Sequence, residues 1–182
     1  RNPAMILADG AIGQMMEKVV LSEQQPRLTD EEIAEQYGDW ATCGKGKRKK
    51  YNICTSLFMN SEDLEEVNLR LQAKYRRIEA EEARWEAIMC DDAEYVVVAY
   101  GSSARISSAV VELAREQGIK VGILRPITLY PFPVKPIADL AARGVKGFLV
   151  AELNAGQMVE DVRLAVDGKT PVEHYGRMGG ML

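Results

Sequence analysis

The chain has 182 residues, of which 47% are hydrophobic and 27% charged, and its formal net charge is −4. This length allows one ordinary domain with an appendage. The mild acidity weighs against general nucleic-acid binding, and no apolar run approaches the ~20 residues of a membrane-spanning helix. The chain begins Arg1-Asn2-Pro3 without a methionine, so we expect a piece of a longer or processed polypeptide.

The three cysteines, Cys43, Cys54 and Cys90, form no CxxC pair. No zinc or iron–sulfur site is therefore predicted locally. An odd number of unpatterned cysteines favours reduced thiols and a cytoplasmic location.

The N-terminal third predicts small elements joined by a linker. Residues 4–8 have strand character, and residues 11–21 carry a helical apolar pattern. The strand is either the last one of a truncated upstream domain or an edge strand of the domain present. Residues 22–27 are polar and read as a linker. Thr29 and Glu32 form a capping-box pattern, which predicts a short helix that ends near Gly38.

Two charged segments follow. Residues 44–50, GKGKRKK, form a basic glycine-bearing loop, either a solvated loop or a contact for a phosphate or an acidic partner. Residues 61–90 carry a long helical pattern with a narrow apolar stripe that includes Leu64, Leu71 and Trp85. We predict a charged helix that packs on the outside of a domain by this stripe, with a coiled-coil arm as the alternative.

Residues 95–133 predict a strand–helix–strand unit. The apolar run of residues 95–100 ends at Gly101, and a second apolar run covers residues 121–124. Between them the spacing predicts a helix with an apolar inner face at Ile106, Ala109, Val110, Leu113 and Ala114. Because the runs are apolar on both faces, we predict parallel strands in a three-layer α/β/α sandwich with a mostly parallel sheet.

The remaining chain repeats this alternation. Pro136 suits the first residue of a helix, and residues 147–151, GFLVA, predict a third strand. A helix with Met158, Val159 and Val162 facing inward follows, and residues 171–175 predict a last short strand.

Candidate binding residues follow two of the predicted strands. The segment Gly101-Ser102-Ser103-Ala104-Arg105 begins a helix and offers free N–H groups, hydroxyls and a guanidinium, which suit an anion. The alternative is a plain helix start, because neither the P-loop nor the dinucleotide-binding spacing is present.

At the same predicted sheet edge lie candidates for contacts between domains or subunits: Arg125, Glu152, Asn154 and Gln157. Glu152 could orient a cofactor or pair with Arg125. His174, the only histidine, has no metal-ligand spacing around it and is interpreted as a packing or surface residue. No catalytic residue and no metal ligand is assigned.

Two segments together, VVVAYGSSARISSAVVELAREQGIKVGILRPITLYPFP and FLVAELNAGQMVEDVRLAV, resemble the C-terminal domain of 2-oxoacid:ferredoxin oxidoreductase α subunits. Within that family the chain looks most like the branched-chain (3-methyl-2-oxobutanoate) enzymes, and that domain is similar to the transketolase C-terminal domain. The resemblance covers nearly the whole chain, and the LRPITLYPFP and ELNAGQM pair is its most specific part. It implies a domain division: 1–21 ends a pyrimidine-binding domain, 22–91 is an interdomain segment with the helix 61–90, and 92–182 is the transketolase-like domain.

The resemblance implies a thiamine-diphosphate enzyme with magnesium and iron–sulfur clusters in the full complex. It would convert a 2-oxoacid, coenzyme A and oxidised ferredoxin to acyl-CoA, CO2 and reduced ferredoxin. The chain lacks the GDG…N magnesium-diphosphate motif, so we expect no cofactor bound to this piece and no activity from it alone. Its expected role is to assemble domains and subunits, and to line the approach of coenzyme A through Ser102, Ser103, Arg105 or the basic loop of residues 45–50.

Two further hypotheses stay open from the residues alone. The chain could be a stand-alone anion- or nucleotide-binding α/β module that uses Arg105. It could instead bind nucleic acid through residues 44–50, although the composition weighs against this. Expected partners are the other subunits of the same oxidoreductase and, through the complex, ferredoxin and coenzyme A, with no nucleic acid and no membrane.

Overall fold

A computed structural model describes residues 3–38, 45 and 50–179. The chain divides into two compact units: residues 1–15 with 72–182 form one, and residues 16–71 form the other. Within the described residues, no helix is both long enough and apolar enough to cross a membrane.

The smaller unit contains α2 (Asp30–Tyr37) and the first half of α3 (Ser61–Glu82). The predicted capping box is confirmed: the Glu32 N–H donates to Thr29 Oγ1 at 3.2 Å, and the Thr29 N–H donates to Glu32 Oε2 at 2.8 Å. Asn60 caps α3 by accepting from the Glu62 N–H at 2.8 Å. No residue of α3 is buried.

The prediction of one helix over residues 61–90 was wrong at its C-terminal end. Helix α3 ends at Glu82, and Trp85–Ile88 instead forms strand β1. The chain turns there because the Arg84 carbonyl accepts from the N–H groups of Ile127 and Thr128, at 2.9 and 3.2 Å. The pairing of residues 85–88 with residues 123–126 therefore outweighs the local helical spacing of apolar residues.

The N-terminal predictions over residues 4–21 were also wrong in detail. Residues 3–9 form no strand, and the helix described over residues 10–21 is only α1 (Gly10–Gln14). Asp9 caps α1 by accepting from the Ile12 N–H at 2.7 Å.

The larger unit is built on a five-stranded sheet in the order β1-β3-β2-β4-β5. The strands are β2 (Tyr95–Val98), β3 (Val121–Pro126), β4 (Gly147–Glu152) and β5 (Val172–Gly176), with β1 at one edge. Strands β2 to β5 are mutually parallel, and β1 pairs antiparallel with β3. The predicted mostly parallel α/β sandwich is therefore confirmed.

Three helices cover the two faces of this sheet. Helices α5 (Val134–Ala142) and α6 (Met158–Val166) lie on one face and α4 (Gly101–Glu116) on the other. Ile137, Phe148 and Val162 belong to the larger core cluster, and Val97, Val111 and Ile123 to the smaller one. Because strand side chains alternate between faces, β2 supplies Val96 and Val98 to the first cluster and Val97 to the second.

The predicted inner face of α4 was wrong for its larger apolar residues, although Ala114 packs against the smaller core cluster as predicted. The buried residues of α4 are Ser102, Ala104, Ser107 and Val111. Ile106, Val110 and Leu113 are instead 43%, 53% and 57% exposed. Small residues face the sheet because they let the helix lie close to the strands, and the larger apolar side chains are left on the flank.

Candidate functional site

The predicted site residues lie at the carboxyl edge of the parallel strands. Val98 of β2 is level with Leu124 of β3 and with Val150 of β4. Arg125 is therefore one residue, and Glu152 two residues, beyond that line. Gly101 follows β2 at the same edge and begins α4 with a φ of 57°.

Glu152 is a buried carboxylate that caps α6. It is 3% exposed, and its oxygens accept from the N–H groups of Met158 at 2.9 Å and Val159 at 3.0 Å. The Gln157 N–H, at 3.2 Å, and the Asn154 side-chain amide, at 3.1 Å, complete the shell. The carboxylate thus satisfies the N–H groups that a helix start leaves without an intrahelical partner.

These contacts lower the pKa of Glu152. Burial by itself raises the pKa, because it disfavours the charged form. The hydrogen bonds from Met158, Asn154, Val159 and Gln157 outweigh burial, so the pKa falls below the ordinary glutamate range. Glu152 is therefore an ionised structural group that stabilises a helix terminus.

Asn154 and His174 complete the surroundings of this cap. Asn154 Oδ1 accepts from the Gly156 N–H at 2.7 Å, which closes the tight turn before α6. His174 Nε2 lies 3.6 Å from Glu152 Oε1, beyond hydrogen-bond range, and has no hydrogen-bond partner among the described residues. The imidazole packs beneath Gly156, consistent with the packing role interpreted from the sequence.

The start of α4 holds a carboxylate from elsewhere in the chain. The buried Ser102 hydroxyl donates to Asp9 Oδ2 at 2.7 Å. Hydrogen bonds from the Ile12 N–H and the Ser102 hydroxyl lower the pKa of Asp9, so this carboxylate is ionised. An external anion at the Gly101–Arg105 segment would have to displace Asp9 from the Ser102 hydroxyl.

Arg125 pairs with Glu86 rather than with Glu152. The guanidinium contacts the Glu86 carboxylate through Nε and Nη2, both at 2.8 Å. Glu86 and Arg125 are directly opposite each other in the antiparallel β1–β3 pair. The suggestion that Arg125 could pair with Glu152 was therefore wrong, because the unpredicted strand β1 supplies a closer carboxylate.

The remaining predicted features are the basic loop, the other residues at the start of α4, and the cysteines. Of the basic loop 45–50, residues 46–49 lie outside the described residues, as do Gly44 and Cys43. Ser103 is half-buried and Arg105 exposed at the start of α4. Cys54 is exposed and Cys90 buried, and burial raises the pKa of the Cys90 thiol. In the parts of the chain that are described, no three His, Cys, Asp or Glu side chains gather as a metal site would require.

Sequence reasoning missed Asp9 and Glu86 as partners of the site residues. Asp9 precedes an apolar helical pattern, so an N-cap role could have been inferred. Its contact with Ser102, 93 positions away, has no local signal. Glu86 was missed because its segment was assigned to a helix.

The chain matches known proteins in sequence. Residues 93–182 match the family described as pyruvate:ferredoxin oxidoreductase core domain II. The whole chain is 47% identical to ketoisovalerate oxidoreductase subunit VorB of Methanothermobacter thermautotrophicus, over 49% of that protein. It is 30% identical to 2-oxoglutarate synthase subunit KorA of Methanocaldococcus jannaschii, over 53% of that protein. The chain therefore spans about half the length of the curated relatives it matches.

The fold has a counterpart among solved structures. A 2-oxoglutarate:ferredoxin oxidoreductase from Magnetococcus marinus, solved with 2-oxoglutarate, coenzyme A and succinyl-CoA bound, superposes with a TM-score of 0.64. The match covers 75% of this chain and 25% of that one at 20% identity, so it supports the fold alone.

Proposed function

We propose that this chain, a member of the 2-oxoacid:ferredoxin oxidoreductase family, is the C-terminal region of the α subunit of a branched-chain enzyme. The observation that carries the proposal is the 47% identity to a ketoisovalerate oxidoreductase subunit along the entire chain. The identity to a 2-oxoglutarate synthase subunit along the entire chain is lower, at 30%. The proposed reaction takes a branched-chain 2-oxoacid, coenzyme A and two oxidised ferredoxins to acyl-CoA, CO2, two reduced ferredoxins and a proton.

We propose that this region supports catalysis without performing it. At the carboxyl edge, Glu152 is engaged by the start of α6, Ser102 by Asp9, and Arg125 by Glu86. Each side chain holds one element of the chain against another. Such contacts suit a scaffold against which catalytic parts and other subunits lie.

The cofactors of the reaction do not fit the residues described here. Thiamine diphosphate, when bound, supplies the electron sink for decarboxylation. Its metal needs oxygen ligands, and an iron–sulfur cluster commonly needs four cysteines. The chain has three cysteines in all, and the described residues offer no cluster of metal ligands. We place these groups elsewhere in the complex.

The test is a substrate-dependent viologen reduction assay. The chain is assembled with the remaining subunits and with the rest of its own subunit, and is also assayed alone. We expect reduction with 3-methyl-2-oxobutanoate at a kcat/KM at least tenfold above that with 2-oxoglutarate or pyruvate, and none from the chain alone. Activity of the isolated chain would contradict the scaffold role, and a preference for 2-oxoglutarate would contradict the substrate class.

A role in coenzyme A access is a separate part of the proposal. Arg105 is exposed at the start of α4 beside the half-buried Ser103, and a guanidinium there can contact a phosphate. In the assembled enzyme Arg105→Ala should raise the KM for coenzyme A several-fold and leave the KM for the 2-oxoacid unchanged. Calorimetry with the chain alone separates this from the stand-alone module: micromolar coenzyme A binding that Arg105→Ala abolishes would favour the module.

A further inference from the structure

Among the described elements of the larger unit, no helix covers the β5 side of the sheet face that carries α4. On the face that carries α4, Val97 and Ile123 are buried under the helix. Tyr95, Leu149 and Tyr175 point to the same face, because Leu149 is level with Val97 and Tyr175 is level with Ala151. Their exposed fractions are 44%, 40% and 56%. We call these three residues the bare sheet surface.

Helix α4 turns an apolar flank toward this surface. Arg115 fixes the opposite flank, because its guanidinium donates to the carbonyls of Val121 and Met89, both at 2.7 Å, on the β3–β1 side. Residues advance about 100° per position around a helix, so Ile106, Val110 and Leu113 form a stripe on the side away from Arg115. We call these three residues the outer stripe. It therefore lies on the flank of α4 that is nearer to β4 and β5.

An open groove of about 390 Å³ lies over part of the bare sheet surface, and its lining includes Tyr95, Val97, Val121 and Leu149. The outer stripe does not line this groove and lies beside it on α4. Two charged side chains, Lys146 and Glu173, also line the groove. Lys146 pairs with Glu94. The Glu173 side chain makes no hydrogen bond or ion pair within the described part of the chain, so it is the unneutralised charge of the lining.

We propose that this groove binds an amphipathic helix of a partner subunit, with an apolar face on the groove and a Lys or Arg toward Glu173. This inference rests on the proposed function, which supplies the partner subunits. Strands β4 and β5 together are about 10 Å wide, which is the diameter of one helix. Among the described elements, two helices lie on the other face of the sheet and α4 lies on this one. A basic residue is required because an unpaired carboxylate covered by a partner loses its hydration without compensation.

A second copy of this chain fits the groove less well. The segment of a second copy most suited to enter the groove would be its α4. The solvent-facing side of α4 carries the charged residues Arg105, Glu112 and Glu116. Two copies related by a two-fold axis would also bring two Glu173 side chains into the same contact. The charge of the groove therefore favours a basic partner.

The test measures the reactivity of a cysteine placed in the groove. In a Cys43→Ser/Cys54→Ser background, Leu149→Cys is labelled with N-ethylmaleimide in the isolated chain and in the complex with the remaining subunits. Leu164→Cys is the control, because Leu164 lies on α6, on the other sheet face, and is 79% exposed. We expect assembly to slow labelling at position 149 at least tenfold and at position 164 less than twofold.

Affinity variants test the chemistry of the partner. Leu113→Asp and Glu173→Lys should each raise the dissociation constant of the complex with the remaining subunits at least tenfold. Leu164→Asp should leave that constant unchanged. The far-ultraviolet circular dichroism of each variant must match the parent, which is expected because all three side chains are exposed.

Several outcomes would overturn the inference. One is equal labelling at position 149 before and after assembly. Another is protection already present in the isolated chain, and a third is a homodimer in light scattering that Leu113→Asp makes monomeric. If the wild-type complex reduces viologen while position 149 stays reactive, the groove proposal fails and the proposed function stands. If position 149 is protected but no 2-oxoacid supports reduction, the proposed function fails and the groove stands.

Discussion

Glu152 carries more of the local structure than any other polar residue at the carboxyl edge. Its carboxylate takes hydrogen bonds from three backbone N–H groups and one side-chain amide. Charge-assisted bonds of this kind are the strong ones, and an unsatisfied buried donor is costly. The residue is thus a structural requirement for the start of α6.

Glu152→Gln should lower the free energy of unfolding by about 2–3 kcal/mol, because the new amide group presents a donor to N–H groups that need an acceptor. Urea unfolding followed by circular dichroism at pH 7 measures this. Glu160→Gln, in the first turn of the same helix but exposed, is the control and should cost only a few tenths of a kcal/mol. Equal losses in the two variants would contradict the capping role.

The lowered pKa of Glu152 makes stability depend on pH. A carboxyl whose folded pKa lies below its unfolded value of about 4.3 stabilises the fold fully at higher pH. That contribution is lost as the pH falls through the folded pKa. The difference in unfolding free energy between the parent and Glu152→Gln should therefore be constant from pH 7 to about 5 and shrink below about pH 4. A difference that grows on acidification would be inconsistent with the assignment.

Gly122 is required by a close approach of the backbone. A Cβ at this position would lie 2.6 Å from the Met89 carbonyl oxygen and 2.9 Å from Cys90 Sγ. Gly122→Ala should therefore lower the free energy of unfolding by about 1–3 kcal/mol, the usual effect of overpacking. Gly147→Ala is the matched control in the same sheet, because its nearest neighbour, the Tyr95 ring, is 3.5 Å away. The two variants are compared by thermal unfolding, and a neutral Gly122→Ala would show that the segment after β1, which contains Met89 and Cys90, can shift.

At the scale of elements, α1 is held to α4 by one side-chain hydrogen bond. Ser102→Ala removes the donor to Asp9 and should speed amide hydrogen exchange in residues 10–15 several-fold, because a short helix has little stability of its own. Ser103→Ala is the control, since the Asp9 contact belongs to its neighbour. Exchange measured by mass spectrometry on the isolated chain reports this. Unchanged exchange in Ser102→Ala would mean that apolar contacts alone hold α1.

Elements whose signal is local were predictable from the sequence. Thr29 and Glu32 lie within one turn, and their reciprocal hydrogen bonds form as the pattern indicates. Strands β2, β3 and β4 were predictable because a strand buried on both faces is continuously apolar. The failures depend on distant partners. Trp85–Ile88 follows a helical spacing but pairs with β3, and α4 buries its small residues because the sheet lies beneath them.

The location of the candidate site could be predicted from the sequence, but its side-chain contacts could not. Strand order alone puts Arg125 and Glu152 at one edge. The observed contacts of Ser102 and Arg125 are with Asp9 and Glu86. Both partners are far away in the sequence, so no local pattern indicates them. The groove beside α4 was not predictable either. The periodicity of α4 assigned its larger apolar residues to the sheet-facing side, whereas they are exposed.

At the scale of the whole molecule, the proposed function gives the chain an architectural part in a larger enzyme. Its larger unit has a covered core on both sides of the sheet, and its apolar exposure on the α4 face is concentrated in the bare sheet surface and the outer stripe. Contiguous apolar patches of this kind mark interaction sites. Assembly should therefore raise the thermal stability of the larger unit, and Leu113→Asp should abolish that increase without changing the isolated chain.

The shell of donors around Glu152 also limits the chemistry open to this residue. A carboxylate that is held ionised by four donors has no proton to give near neutral pH. It also does not readily take up a proton, because protonation would break the hydrogen bonds at the start of α6. Glu152 is therefore unsuited to relay protons near neutral pH, even though it stands at the strand ends where acid–base residues of α/β enzymes are often found. A proton relay at this edge would need a different side chain.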